Sequence, residues 1–369
     1  RVLGAHIDSP RLDLKEHPIY ERTGFALGDT HYYGGVKKYQ WVTIPLALHG
    51  VVCKKDGTTV EVNIGEDESD PVVGITDLLI HLSADQMSKT LGQAITGESL
   101  DITLGNMPLD EEEKDSVKAN VLKLLNEKYG IDEEDLLSAE IEVVPAGPAR
   151  DYGLDRSMIA GYGHDDRCCA YPSLMALLDT KEVEYTGVCM LVDKEEIGSV
   201  GATGSQSVFF ENTVVFVADK LGSKCPVIAM KECFNHSKML SSDVSAGYDP
   251  LYAYAYDPNN AAYFGQGMVI NKYTGRGGKG GSNDANPEYY AWVRNALDGA
   301  KIHWQNSILG KIDLGGGGTI AYMLAKYGMN VIDAGVAVLN MHAPYEATSK
   351  ADVYETMRGY MAFLNALGM

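Results

Sequence analysis

The sequence predicts a mixed α/β sheet flanked by helices, interrupted by an inserted β-rich domain. Three observations predict it. From about residue 160, apolar strand-like runs alternate with stretches of helical length, the pattern of a sheet covered on both faces. The opening "RVLGAHID" reads as a strand with no partner in its own neighbourhood. Between the two, the chain carries hairpin and strand signals of its own. Residues 1–40 and 160–369 are therefore expected to form one discontinuous domain, and 41–159 an insertion with a β-rich core.

After the first strand, "QWVTIPLALHGVVCKKDGTTVEVNIG" reads as a β-hairpin with Lys55-Asp56-Gly57 at its turn. "LDEEEKDSVKANVLKLLNEKYG" predicts an amphipathic helix. Asp110 is its expected N-cap, acidic residues fill its first turn, and Gly130 follows its end. Val117, Val121, Leu124 and Leu125 fall on one face. "AEIEVVPAG" is a further strand. In the second half, "YTGVCMLV", "TVVFVAD", "KMLSSDV", "GMVI", "KIHWQN" and "NVIDAGVAV" read as strands. Helices are expected over 167–179, 284–299, 316–327 and 350–366.

A chain of 369 residues is long enough for two domains with cores of their own. Its net charge of −20 argues against nucleic acid and membranes as partners. Six cysteines with no CxxC pair fit neither a disulfide framework nor a zinc ribbon. They point to reduced thiols and a cytoplasmic setting. The glycine-rich "GRGGKGG" and "DLGGGGTIA" lack the GxxxxGK[ST] pattern of a phosphate loop. The second is expected to bring backbone amides close to an active site ahead of a helix. "HYYGGVKKYQW" is aromatic and basic, suited to a subunit interface or a substrate rim.

In α/β sheets, ligands bind beyond the carboxyl ends of strands. Five element boundaries carry ligand-type side chains there: His6 and Asp8, Asp165 and Asp166, Glu195 and Glu196, Asp243, and His342 with Glu346. Each alone has an ordinary reading, as a helix cap, a turn residue or a packed imidazole. Together, a mixture of imidazole and carboxylate suits zinc, and its carboxylate richness suits two ions. Asp8 is placed to hold the distal nitrogen of His6. Glu195 and Glu196 follow a strand, where successive side chains point in opposite directions, so they are expected to serve different targets.

The motifs "GAHIDSP", "GHDDR", "DKEEIGS", "SSDVSAG" and "MHAPYE" resemble, in order and spacing, those of the aspartyl aminopeptidase family. The resemblance covers nearly the whole chain. It implies a dinuclear zinc exopeptidase that removes N-terminal Asp or Glu, with Co²⁺ or Mn²⁺ as substitute metals. It implies His6, Asp165, Glu196, Asp243 and His342 as metal ligands, with Asp165 bridging the two metals and joined to Asp166 by a cis peptide. Glu195 becomes the general base and Asp8 the residue that orients His6. The insertion becomes a dimerisation domain in a homo-oligomer, a dodecamer built from dimers. His81, in "LLIHLSADQ", becomes a residue that reaches a neighbouring subunit's active site.

An acidic substrate entering an acidic protein needs a local cation. Lys272 is the first expectation, because it follows the "GMVI" strand and aligns with the family's pocket lysine; Arg276 and Lys279 are the alternatives. The chain departs from the family pattern in three places. It lacks the family's segment before the first motif, it has Ala246 where an imidazole is common, and 273–281 is richer in glycine. A related zinc aminopeptidase of broad or neutral specificity is the alternative enzyme reading. A scaffold that kept the fold without activity is the non-enzymatic one, and the intact Glu195 argues against it.

Overall fold

The computed structural model describes residues 1–110 and 114–368. The chain forms two compact units. The first contains Arg1–Ser9, Arg150–Met341 and the residues from Glu346 onward; the second contains Pro10–Ala149 and His342–Tyr345.

The first unit is built on a six-stranded sheet in the order Val188–Val192, Val2–His6, Lys238–Ser241, Asn330–Gly335, Met268–Asn271, Trp304–Asn306. The first four strands are parallel and Met268–Asn271 runs antiparallel to Asn330–Gly335. Neighbouring residues of each strand serve opposite faces, as a pleated strand requires. Leu3, Leu240 and Ile332 pack against helices His164–Asp179, Pro287–Gly299 and Lys350–Asn365. Val2, Met239 and Val331 pack on the other side, against Pro226–His236 and Ala321–Ala325. Two tyrosines are wholly buried in the first layer with their hydroxyls satisfied: Tyr289 donates to the Met239 carbonyl (2.7 Å) and Tyr360 to that of Ala334 (2.8 Å). A second sheet of five short strands includes Ala337–Leu339, Glu346–Ser349 and Met158–Gly161.

The second unit is an antiparallel sheet in the order Thr59–Ile64, Leu46–Cys53, Ala139–Pro145, Arg11–Arg22, Phe25–Tyr33, Ile102–Gly105, with helix Ser116–Tyr129 beside it. The chain leaves the first unit at Ser9–Pro10, not near residue 40. Arg11–Arg22 and Phe25–Tyr33 form a hairpin that pairs only within this second sheet.

Three local expectations are corrected. "TVVFVAD" lies in a helix, Phe209–Lys220, not a strand. Its β-branched residues mimic a strand, but Phe210, Val214 and Val215 repeat at helical spacing and pack on the core. The helix expected over 316–327 is only Ala321–Ala325, because the preceding glycines form a loop. The helix expected from Asp110 begins at Ser116, its Val117 and Lys118 amides donating to Glu21 Oε2, and residues 111–113 of that expectation lie outside the described residues. Leu124, expected on its packed face, is exposed. Its end is as expected: Gly130 adopts φ +65° and donates to the Asn126 carbonyl at 2.7 Å.

The glycine runs have a packing cause. Gly275 N–H donates to the Gly317 carbonyl at 2.6 Å, tying loop 273–281 to the loop before Ala321. A Cβ at Gly316, which sits at φ +113°, would overlap the Gly275 carbonyl oxygen. Gly316→Ala is expected to cost at least about 1–3 kcal/mol from backbone conformation alone, visible as a lowered Tm in thermal unfolding.

Candidate metal centre

Strand register gathers the site. His6 is level with Val192, and Gly4 with Ser241. Two residues past Ser241, Asp243 is thus delivered beside His6, and the chain after Val192 turns at Glu195–Ile197 on its other side. Lys194 (φ +66°) and Gly198 (φ +100°) bracket that 3₁₀ turn. The two glutamates are therefore not on a strand, as expected, but on successive positions of a turn with three residues per revolution, which still separates their directions.

Asp165 and Asp166 stand at the start of helix His164–Asp179 in non-helical conformations, joined by a cis peptide. The Asp165 N–H donates to Oε2 of the buried Glu346 (2.9 Å), and Ser9 Oγ–H donates to the Asp165 carbonyl (2.7 Å). The His6 ring is buried among these groups. Its Nε2 is 3.1 Å from Asp165 Oδ1 and 4.0 Å from Asp243 Oδ1. Its backbone N–H donates to Asp166 Oδ2 at 3.3 Å.

Asp8 organises both sides. His6 Nδ1 faces two acceptors, the Asp8 carbonyl (3.0 Å) and Asp8 Oδ1 (3.1 Å), so it carries a proton and donates. The same carboxylate accepts the N–H of Glu195 on Oδ1 and that of Glu196 on Oδ2, each at 3.1 Å. One buried side chain thus fixes the imidazole and the turn that carries both glutamates.

Two groups of ligand atoms share His6: His6, Asp165 and Glu196, and His6, Asp166 and Asp243. Asp166, a ligand-type residue in the sequence to which the family resemblance gives no metal role, provides one of the second group's two carboxylates. Its Oδ1 is buried without a hydrogen-bond partner. Burial, joined by the charges of nearby carboxylates, drives Asp166 and Asp243 well above the usual carboxylate range. Burial would lower His6, but its hydrogen bonds to Asp165 and Asp8 outweigh this and raise it. A pocket this rich in buried carboxylate calls for positive charge, and imidazole with carboxylate oxygens is a zinc donor set. The residues fit the metal.

His342 belongs to the second unit, at φ +66°, where its Nδ1–H donates to the Gly35 carbonyl at 2.8 Å. That tautomer puts the lone pair on Nε2. His81 lies in a 3₁₀ turn, Ile80–Leu82, whose two apolar residues are about two-thirds exposed (68 and 67%).

Lys272 follows the strand Met268–Asn271. Its strand runs against Asn330–Gly335, so the strand direction leads away from the edge where Val2–His6 ends. Its ammonium is also committed to Asp284, which takes Lys279 on its other oxygen at 2.8 Å. Glu346 and Asp333 were not singled out as supports. Burial pushes the Asp333 carboxyl up to about 6 against the hydrogen bond from Thr319 Oγ1 (2.7 Å).

The aminopeptidase I zinc metalloprotease (M18) family model matches residues 1–364. The chain belongs to the M18 family. A probable M18 family aminopeptidase 1 from Clostridium acetobutylicum is 59% identical over 99% of this chain and 78% of its own length. That from Thermotoga maritima is 47% identical over 98% and 80%. The crystal structure of a Thermotoga maritima M18 aminopeptidase superposes with a TM-score of 0.97 at 46% identity, covering 100% of this chain and 81% of that one. The S. cerevisiae mApe1 dodecamer shares the fold alone, at 19% identity and a TM-score of 0.74 over 98% of this chain and 78% of its own. This M18 chain is accordingly a zinc-dependent aminopeptidase, a hydrolase of peptide bonds. Among its described residues, no helix is long and apolar enough to cross a membrane.

Proposed function

We propose that this M18 aminopeptidase removes N-terminal Asp or Glu from peptides, using two zinc ions per subunit. The observation that favours the acidic preference is loop 272–284, which carries three cations, Lys272, Arg276 and Lys279, against one carboxylate, Asp284, in a chain of net charge −20; Asp284 pairs with the two lysines. Only one ion can use the free Nε2 of His6, and the four carboxylates grouped around it, those of Asp165, Asp166, Glu196 and Asp243, are what favour a second. His6, Asp165, Glu196 and Asp243 hold the metals, Asp166 stands beside Asp165 as a further donor, and the family resemblance adds His342.

Zinc, when bound, supplies a Lewis acid for the scissile carbonyl and lowers the pKa of water. Glu195 accepts the proton of the attacking water and returns it to the leaving amine. Asp8 keeps His6 in one tautomer and holds the amides of Glu195 and Glu196, so ligand and base keep a fixed relation. Asp165 is steadied in turn by Glu346.

A broader or neutral specificity is the alternative reading, and it holds if Asp284 takes up the charge of both lysines. Metal analysis and kcat/KM on Asp-, Glu-, Leu- and Lys-amide reporters separate the readings. Two zinc per chain and a preference for Asp and Glu are expected; preference for Leu supports the alternative.

The reading extends to a homo-oligomer, with His81 serving a neighbouring subunit from its exposed apolar turn, in a cytoplasmic setting consistent with six free thiols. Subunits separated by dilution should lose activity and keep zinc. An active monomer, shown by sedimentation and assay on one sample, would remove His81 from the mechanism.

A further inference from the structure

Asp333 is a buried carboxylate that no step of the mechanism uses. It lies in strand Asn330–Gly335, 2% exposed, level with Ser241 on one neighbouring strand and with Asn271 on the other. Ser241 is itself level with Gly4. Asp333 thus stands one strand from Ser241, which is two residues short of the ligand Asp243, and two strands from Gly4, which is two residues short of His6. Side chains alternate along a strand, so Asp333 shares a face with Val331, which packs in the layer of Ala321–Ala325.

No cation meets this charge. Among the described residues no Lys, Arg or His pairs with Asp333. Thr319 Oγ1–H donates to its Oδ1 at 2.7 Å, a bond that also ties the end of the glycine run 315–318 to the sheet. Its Oδ2 is buried without a hydrogen-bond partner, although the Ser241 hydroxyl is near enough to act on the charge. The Asn271 amide, on the opposite side, is turned to the Ser307 carbonyl at 2.9 Å. A buried charge left uncompensated is destabilising, and a cation bound close by offsets it. The centre at Asp243 is a place for one, and the charge of Asp333 acts on Asp243.

We propose that Asp333 is an anionic support of the metal centre: held by Thr319 behind Asp243, its charge strengthens zinc binding at the Asp243 side. It touches neither metal nor substrate, so it is a positioning residue that works through Asp243. The inference rests on the reading of Asp243 as a ligand and is independent of which N-terminal residue the enzyme prefers.

The test is a competition titration of zinc against a chelator at neutral pH, beside thermal unfolding of the zinc-free and zinc-loaded forms. It compares the wild type with Asp333→Asn, Thr319→Val and Asp243→Asn. Asparagine keeps the shape, offers an oxygen to Thr319 and removes the charge. Valine removes the hydroxyl and leaves the charge. Asp333→Asn is expected to weaken zinc binding about tenfold, the low end of what supporting residues contribute, while its zinc-free form melts no lower than the wild type. Thr319→Val is expected to lower the Tm of both forms and leave zinc affinity close to that of the wild type. Wild-type zinc affinity in Asp333→Asn overturns the proposal. An equal loss in Thr319→Val also overturns it, because the hydrogen bond and not the charge would then be responsible. An Asp333→Asn chain that fails to fold without zinc does the same, since the carboxylate would then be structural. Unchanged zinc affinity in Asp243→Asn overturns the ligand reading on which the proposal rests.

Discussion

Glu195→Gln should lower kcat by about 10²–10⁴-fold while leaving bound zinc unchanged. Among the described residues Glu195 belongs to neither group of ligand atoms, and its charge acts on Asp243, which fits the proposed role of base rather than ligand. Its N–H is held by Asp8, and the left-handed conformations of Lys194 and Gly198 fix the turn that presents it. The amide of glutamine keeps that size and shape but takes up no proton at neutral pH. The loss should therefore fall on kcat. Glu196→Gln should behave differently, because Glu196 is one of the atoms grouped with His6 and Asp165. Zinc content should fall first and activity with it. Metal analysis of the two purified variants, beside kcat measured at saturating zinc, decides the matter. Equal zinc loss in both would end the division of labour between adjacent glutamates.

The second large effect is expected from Asp8→Asn. The carboxylate accepts from three donors: the His6 ring and the amides of Glu195 and Glu196. Asparagine has one oxygen for them, and its NH₂ group must face a donor. His6 loses the partner that fixes its tautomer, and the Glu195–Glu196 turn loses an anchor in the same step. Replacing such a supporting residue typically costs about 10–100-fold in metal affinity or activity. Both should be seen here, as weaker zinc binding in a competition titration and as reduced kcat with zinc in excess. An effect on thermal stability alone, with zinc affinity intact, would make Asp8 a structural residue only.

Much of this centre is visible in the sequence, because ligand chemistry is written in residue types at the ends of apolar runs. His6, Asp165, Glu196 and Asp243 each follow or open an element that periodicity identifies. The strands of the first sheet were legible for the same reason: buried parallel strands are short apolar runs bounded by polar residues. The amphipathic character of Phe209–Lys220 was not, because valine and phenylalanine satisfy a strand and a packed helix equally well until the neighbouring surface is known.

What the sequence determined by itself, then, was the family and most of the side chains that gather around His6. The tertiary structure decided where the chain changes unit, which residues share the centre, and which cations remain available. The hairpin Arg11–Tyr33 joins the second sheet because its hydrogen-bond partners, Ile102–Gly105 and Ala139–Pro145, lie some seventy or more residues further along, a distance that no local pattern encodes. Asp166 joins Asp243 and His6 only where the fold brings the start of helix His164–Asp179 to the ends of the Val2–His6 and Lys238–Ser241 strands. Lys272 looks like an available cation in the sequence and is bound to Asp284 in the fold, because pairing of charges depends on where loops close in space.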